Sequence, residues 1–272
     1  MTDFTPQRVC CLQPSATLTM KDLGLLGRVV ACTKYCADVC PEAADGSRQI
    51  VSDSWSSQAE EIRAAGADFA IASVPYQVEA VGEILKAGIR FLGLAPRTLA
   101  DIYADITAIA GVMGVPERGK DVVSSMQKAI EEVHNHHYDA NARPKVFCEE
   151  WGKPIIASQP WVAELISAAG GEFVGEPGKV ITAEAVADAQ PDALLAAWCG
   201  AGDRVPLEKI VEQRKWGGTP AARTERVFCI RDEMLNTPAS SLLDGLRAIE
   251  WALHPASCSR PAGIRQISTV PK

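Results

Sequence analysis

The chain has 272 residues, with 27 Lys and Arg against 34 Asp and Glu, giving a net charge of −7. Apolar residues make up 47% and charged residues 22%, which excludes a disordered chain and supplies a core for one large or two modest domains. The negative balance, without a dense Lys/Arg run, argues against nucleic acid or an anionic membrane as main partner, and no run of about 18 apolar residues marks a membrane-spanning helix.

The opening stretch MTDFTPQRV carries Asp3 and no long apolar segment, so it does not read as a secretory signal. Nine cysteines, an odd number, do not fit a small secreted disulfide framework. These two features predict reduced thiols in the cytoplasm, or a periplasmic location if the sequence is a processed form. Apolar runs then alternate with amphipathic ones. Strands are expected at Arg8–Leu12, Arg28–Thr33, Asp68–Ser73 and Ile89–Leu94, and helices at Ala16–Leu25, Ser56–Ala65, Gln77–Ala87 and Thr98–Gly111. Pro116 suits the first position of a polar helix running to about Tyr138.

The second half repeats the alternation. Lys145–Glu149, Asp192–Trp198 and Arg226–Ile230 read as strands; Trp161–Ala169, Ala183–Ala189, Leu207–Gln213 and Ala239–Leu253 read as helices. The stretch from Pro255 to Lys272 holds three prolines and little periodicity, and reads as a loosely attached tail. Ala59, Glu60 and Ile62 ahead of Asp68–Ser73 are echoed 124 residues later by Ala183, Glu184 and Val186 ahead of Asp192–Ala197. Such strands predict an α/β fold with mostly parallel sheets covered on both faces.

In open α/β sheets ligands bind beyond the carboxyl ends of the strands. Those ends read Gln13-Pro14-Ser15, Lys34-Tyr35-Cys36, Ser52-Asp53-Ser54-Trp55, Val74-Pro75-Tyr76 and Ala95-Pro96-Arg97 in the first half. In the second they read Glu149-Glu150-Trp151, Ser158-Gln159-Pro160-Trp161, Trp198-Cys199-Gly200 and Arg231-Asp232-Glu233. Four of the six tryptophans (Trp55, Trp151, Trp161 and Trp198) thus fall at strand ends and would line a site that stacks a large planar ligand, whereas Trp216 and Trp251 read as core.

Cys32, Cys36 and Cys40 are spaced C-x3-C-x3-C. They are either ordinary small thiols after a strand or thiolates for a soft metal or cluster, with Cys148 and Cys199 at further strand ends. Cys11, Cys148 and Cys229 sit at matching places in three similar strands and read as packing residues. His134, His136 and His137 read as a solvated helix end. Adjacent strand residues point oppositely, so Glu149/Glu150 and Asp232/Glu233 each supply at most one inward carboxylate, which Arg231 or Lys34 would offset; either cation would also suit an acidic ligand edge. There is no Walker A loop, GxGxxG, GxSxG or HExxH, so nothing supports an enzyme.

The segments RVCCLQPSATLTMKDLGLLGRVVACTKYC, VSDSW, DFAIASVPYQ, EEWGKPIIASQPWVAELISAAGG, PDALLAAW and LLDGLRAIEWALHP together resemble the class III periplasmic binding proteins of cobalamin and iron-siderophore importers, particularly the cobalamin-binding branch. The resemblance covers roughly residues 8–254. It implies two Rossmann-like lobes (1–115 and 139–256) bridged by one long helix (116–138), a tail at 257–272, and a ligand cleft between the lobes. By position, Tyr35, Trp55 and Tyr76 would face that cleft from one lobe and Trp151, Trp161 and Trp198 from the other, with Pro14, Ser15 and Arg231 adding contacts. Glu79 and, more ambiguously, Glu208 or Glu212 would dock an ABC importer permease if the protein is exported, Glu212 being preferred. The implied function is non-enzymatic binding of a bulky metal chelate, cobalamin or a related corrinoid first, haem or a ferric siderophore otherwise. The alternative is a cytoplasmic metal or iron–sulfur handling protein using Cys32, Cys36 and Cys40.

Overall fold

A computed structural model describes residues 4–137 and 143–268; Asp3, Tyr138 and the last four residues of the tail lie outside the described residues. Residue contacts divide the chain into two units: 1–126 with 238–240, and 127–237 with 241–272.

The first unit runs β1 (Val9–Cys11), α1 (Pro14–Asp22), β2 (Val29–Thr33), α2 (Cys36–Val39), β3 (Gln49–Val51), α3 (Ala59–Ala64), β4 (Phe69–Ser73), α4 (Val78–Lys86), β5 (Arg90–Leu94), α5 (Leu99–Val112) and the first half of α6 (Pro116–His137). Its five strands are all parallel, in the order β3-β2-β1-β4-β5. The two-residue period of β1 divides the core: Val9 and Cys11 pack in one apolar cluster with Met20, Ile109 and Met113, while Cys10 packs in another with Ile62 and Ile84. Both faces are therefore covered, as the near-continuous apolar strands require. Thr98 and Asp101 form a reciprocal capping box that starts α5. A Cβ on Gly119 of α6 would meet the Ala110 Cβ at 2.5 Å, so glycine is what lets α6 lie against α5.

The second unit contains the rest of α6, then β6 (Lys145–Gly152), β7 (Ile155–Ala157), α7 (Pro160–Ala168), β8 (Glu172–Phe173), α8 (Ala183–Asp188), β9 (Ala193–Ala196), α9 (Leu207–Gln213), α10 (Pro220–Arg223), β10 (Val227–Ile230), α11 (Leu242–Leu253) and β11 (Ile264–Gln266). The sheet order is β11-β10-β9-β6-β7, with β8 also paired to β6. Strands β6, β8, β9 and β10 are parallel; β7 and β11 are antiparallel at the edges.

The sequence echo corresponds to structure. The helix-to-strand step from α3 to β4 recurs as α8 to β9 at the same 124-residue offset. Two expectations are corrected. The stretch after Pro255 is not wholly loose, because Ile264–Gln266 pairs with β10. The end of α6 is not simply solvated: the His137 side chain is 8% exposed, stacks on His254 at 3.9 Å between ring centroids, and lies 3.0 Å from Glu250. His134 and His136 remain exposed.

Candidate functional site

Because β1 to β5 are parallel, their carboxyl ends share one edge of the first sheet. The segment Ser52–Ser57 shows how sequence shapes that edge. The Asp53 carboxylate accepts the backbone N–H groups of Trp55 and Ser56, each at 3.1 Å, and the Ser56 hydroxyl at 2.8 Å. Ser54 turns inward instead, donating through backbone N–H and hydroxyl to the Leu12 carbonyl. The resulting tight turn leaves the Trp55 ring 48% exposed. Tyr35, just after β2, is 42% exposed, with the Lys34 ammonium 4.9 Å from its ring centre.

Tyr76 differs. Its hydroxyl donates to the Leu94 carbonyl and accepts the Leu94 N–H, both at 3.0 Å, so it clamps the end of β5. Burial pushes this phenol up to about 12. Its ring is half-buried and its hydroxyl is committed to the fold. Pro14 opens α1, as proline's fixed φ favours. Ser15 is buried and lines a small recess within this unit together with Thr19, Ser73, Leu94, Asp105 and Pro238.

Asp105 is held at about 6, first by desolvation and then by the nearby charge of Asp101. An acid whose folded pKa exceeds its unfolded value near 3.9 contributes most below the unfolded pKa and loses that contribution as pH rises through the folded one. Wild-type stability therefore contains a component that falls between about pH 4 and pH 6. Asp105→Asn is expected to remove it and to raise the urea midpoint at pH 8 more than at pH 4; equal shifts at both values would contradict this assignment.

At the strand ends of the second unit, β6 carries a register shift between Glu149 and Trp151. The two carboxylates before it take different neighbours: Glu149 is buried, and Glu150 is half-buried with its carboxylate 2.6 Å from the Gln159 side-chain amide. Desolvation raises both carboxyls above the usual range; Arg214 and Trp198 oppose the rise at Glu149, and Gln159 and Cys199 oppose it at Glu150. Arg214 meets Glu149 through both guanidinium nitrogens, one at 2.7 Å, and also donates to the Gly152 carbonyl at 3.2 Å. The Trp198 indole N–H donates to the same carboxylate at 3.0 Å. Arg214 further lies over the rings of Trp216 and Trp198, 4.8 and 5.8 Å from their centres.

These contacts support the turn that bears Trp151, which is 45% exposed with its indole N–H on the Lys153 carbonyl. A Cβ on Gly152 would reach Trp198 Cζ2 at 2.7 Å, so only glycine admits this packing. Trp198 is thus half-buried as the floor beneath the turn. Asp232 organises the neighbouring loop, accepting the N–H groups of Gly200 and Gly202, each at 2.7 Å. Arg231 is exposed and pairs with Glu233.

The expectation that Trp161 faces a ligand is corrected. It is 4% exposed and donates its indole N–H to the Leu235 carbonyl at 2.8 Å, making it a core residue. The proposed thiolate triad is also corrected: among the described residues no group of three His, Cys, Asp or Glu side chains is gathered as a metal would need. The reason is local, since the Cys36 thiol accepts a hydrogen bond from Thr17 whereas that of Cys40 lies 3.6 Å from Glu42. Glu79 on α4 and Glu212 on α9 are exposed; Glu208 accepts the Ser268 N–H. Arg214 escaped sequence reading because its partner lies 65 residues away, with no local motif to mark it.

Among the described residues, Tyr35, Trp55 and Trp151 are the exposed Tyr and Trp side chains, and each stands at the carboxyl end of a parallel strand. Two units with mostly parallel sheets belong to the α/β class, in which ligands are met beyond the carboxyl ends of the strands. A model of the periplasmic binding protein family matches residues 9–234, and the chain belongs to that family. No curated protein matches the chain. Among solved structures, it is similar to a periplasmic heme-binding protein of Pseudomonas aeruginosa, with TM-score 0.83, 20% identity, and coverage of 98% of this chain and 100% of that one. It is also similar to the heme-binding protein RhuT of Roseiflexus sp. RS-1, with TM-score 0.78, 21% identity, and coverage of 91% and 99%. The vitamin B12-binding protein BtuF of Vibrio cholerae is a further neighbour, with TM-score 0.74, 21% identity, and coverage of 93% and 99%. The family is one of solute-binding proteins, which gives the cytoplasmic expectation no support. Among the described residues no helix is long and apolar enough to cross a membrane.

Proposed function

We propose that this protein is the periplasmic substrate-binding component of an ABC importer and takes a bulky, flat metal chelate, a corrinoid such as cobalamin in the first instance. The observation that carries this reading is the exposure of Tyr35, Trp55 and Trp151 at strand ends, where large rings are kept out of the core by turns built to present them. Exposed aromatic faces suit a macrocycle, offering large contact area at low cost in side-chain entropy. The role is binding without catalysis. The neighbours that bind heme favour haem as the second ligand of the same shape class. Glu79 and Glu212 are the proposed contacts to the permease, each being exposed in the first turn or body of a surface helix.

The test is to mix ligand-free protein in turn with cyanocobalamin, cobinamide, haemin and a ferric siderophore, following visible absorbance and thermal unfolding. A ligand at a hundred times its Kd stabilises by about 2.7 kcal/mol, a shift of several degrees for a chain of this size. One macrocycle class is expected to shift both signals, the corrinoids first. No response to any of the four overturns the reading, and a response to the siderophore alone overturns the macrocycle assignment.

A further inference from the structure

The first unit concentrates buried thiols in a way that packing alone does not require. Cys11 and Cys32 are in-register partners on the parallel strands β1 and β2, and Cys36 opens α2 just beyond the end of β2. Cys11, Cys32, Cys36 and Cys40 belong to one apolar cluster, whereas Cys10 faces the opposite side of the sheet. Within the cluster the environments differ. The Cys36 sulfur accepts the Thr17 hydroxyl at 3.1 Å and lies 3.3 Å from the Thr33 hydroxyl oxygen, with Cys32 as a neighbouring thiol. Cys40 lies beside Glu42, and burial first, with that charge a smaller contributor, disfavours a thiolate there.

We propose that Cys32 and Cys36 form an oxidisable pair that closes to an intramolecular disulfide when a peroxide is the oxidant. The polarity of the pair follows from its hydrogen bonds. The neighbouring Cys32 thiol, then the Thr17 and Thr33 hydroxyls, hold the Cys36 thiol below its ordinary value, and the same neighbour with burial pushes Cys32 up. Cys36 is therefore the attacking sulfur and Cys32 the resolving one.

The chemistry balances with one peroxide. The Cys36 thiolate attacks one oxygen of hydrogen peroxide, the O–O bond breaks, and hydroxide leaves, taking a proton to become water. Cys36 is then a sulfenic acid. Cys32 gives up its proton, its sulfur attacks the Cys36 sulfur, the S–O bond breaks, and the departing hydroxide leaves as the second water. Two thiols have lost two protons and two electrons, and the peroxide has been reduced to two waters. Both thiols are at most 1% exposed, which selects a small oxidant. Access comes from local opening of α2, a four-residue helix with few backbone hydrogen bonds to break. The ring that closes encircles Thr33, Lys34 and Tyr35, so oxidation restrains the loop presenting one of the exposed aromatic rings. The linkage itself does not depend on the identity of the ligand.

The experiment uses the reduced full chain. It is exposed to hydrogen peroxide, unfolded, alkylated with N-ethylmaleimide and mapped by mass spectrometry. Expected is one linked peptide pair joining Cys32 to Cys36, lighter by two hydrogen atoms, the loss of two alkylation sites, and full reversal by dithiothreitol. In Cys32→Ser the reaction is expected to stop at the sulfenic acid, and a dimedone reagent captures it on Cys36 at several times the wild-type yield. Linkage of either residue to Cys11 or Cys40 overturns the proposal. So does full alkylation of Cys36 in wild-type protein once the methionines have become sulfoxides, a readout independent of whether the variant folds.

Discussion

Replacing Arg214 with alanine is expected to destabilise the protein by about 3–5 kcal/mol, because it strands a carboxylate that the fold has already removed from water. Glu149 is 1% exposed and draws its compensation from the Arg214 guanidinium and the Trp198 indole; the variant leaves only the indole. The loss depends on pH. Without the arginine the folded pKa of Glu149 rises further above its unfolded value, so the deficit is greatest above neutrality and shrinks as the pH falls and the carboxyl takes up a proton. Chemical denaturation at pH 5 and pH 8 measures the difference. The double variant Glu149→Gln with Arg214→Met is expected to recover much of the lost stability, since the amide still accepts from Trp198 and no charge is buried. A loss below 1 kcal/mol at pH 8 would show that Glu149 already stands protonated in the folded wild type. Arg214 also holds the Gly152 carbonyl, so the single variant should increase the mobility of the Trp151 turn, readable from indole fluorescence.

The second large effect concerns binding. Trp55→Ala and Trp151→Ala are each expected to weaken the macrocycle by tenfold or more, about 1.4 kcal/mol or above, as for anchoring aromatics in interfaces. Each ring is nearly half exposed, so unfolding free energies should move by no more than about 0.5 kcal/mol. Trp161 provides the contrast. It is buried and hydrogen-bonded to Leu235, and its alanine variant should cost about 3–5 kcal/mol of stability. Titration of each folded variant separates these roles; unchanged affinity in both Trp55→Ala and Trp151→Ala would remove the aromatic strand ends from the proposed site.

The contrast also marks how far sequence reasoning reached. Trp55 and Trp161 stand in similar surroundings in the sequence, each just after a strand and beside small polar residues. Their environments are opposite. Asp53 folds its own neighbours into a turn that pushes Trp55 outward, while Pro160 starts α7 and directs Trp161 inward against Leu235. The Asx turn is written locally in Ser52-Asp53-Ser54; the acceptor for Trp161 lies 74 residues away. Tyr76 follows the same rule, for its part in holding β5 depends on Leu94, 18 residues on. The expectation that Glu149 and Glu150 supply only one carboxylate to a given side agrees with their partners, Arg214 and Trp198 for Glu149 against Gln159 for Glu150, but those partners lie too far along the chain to be read locally.

By itself the sequence determined the longer helices and the central strands and their order, because apolar spacing reports which face of each segment leaves water; it also carried the family, through motifs strung along most of the chain. It determined the edge of each sheet where a ligand would be met, since strand direction follows from the alternation of strands and helices. Only the tertiary structure decided which residues at those edges remain available. Arg214 closing on Glu149, His137 stacking on His254, Cys36 meeting Thr17 and the late strand β11 joining β10 are pairings between distant segments. Their free energy comes from desolvation and geometry that exist only once both partners are in place, and no local pattern encodes it.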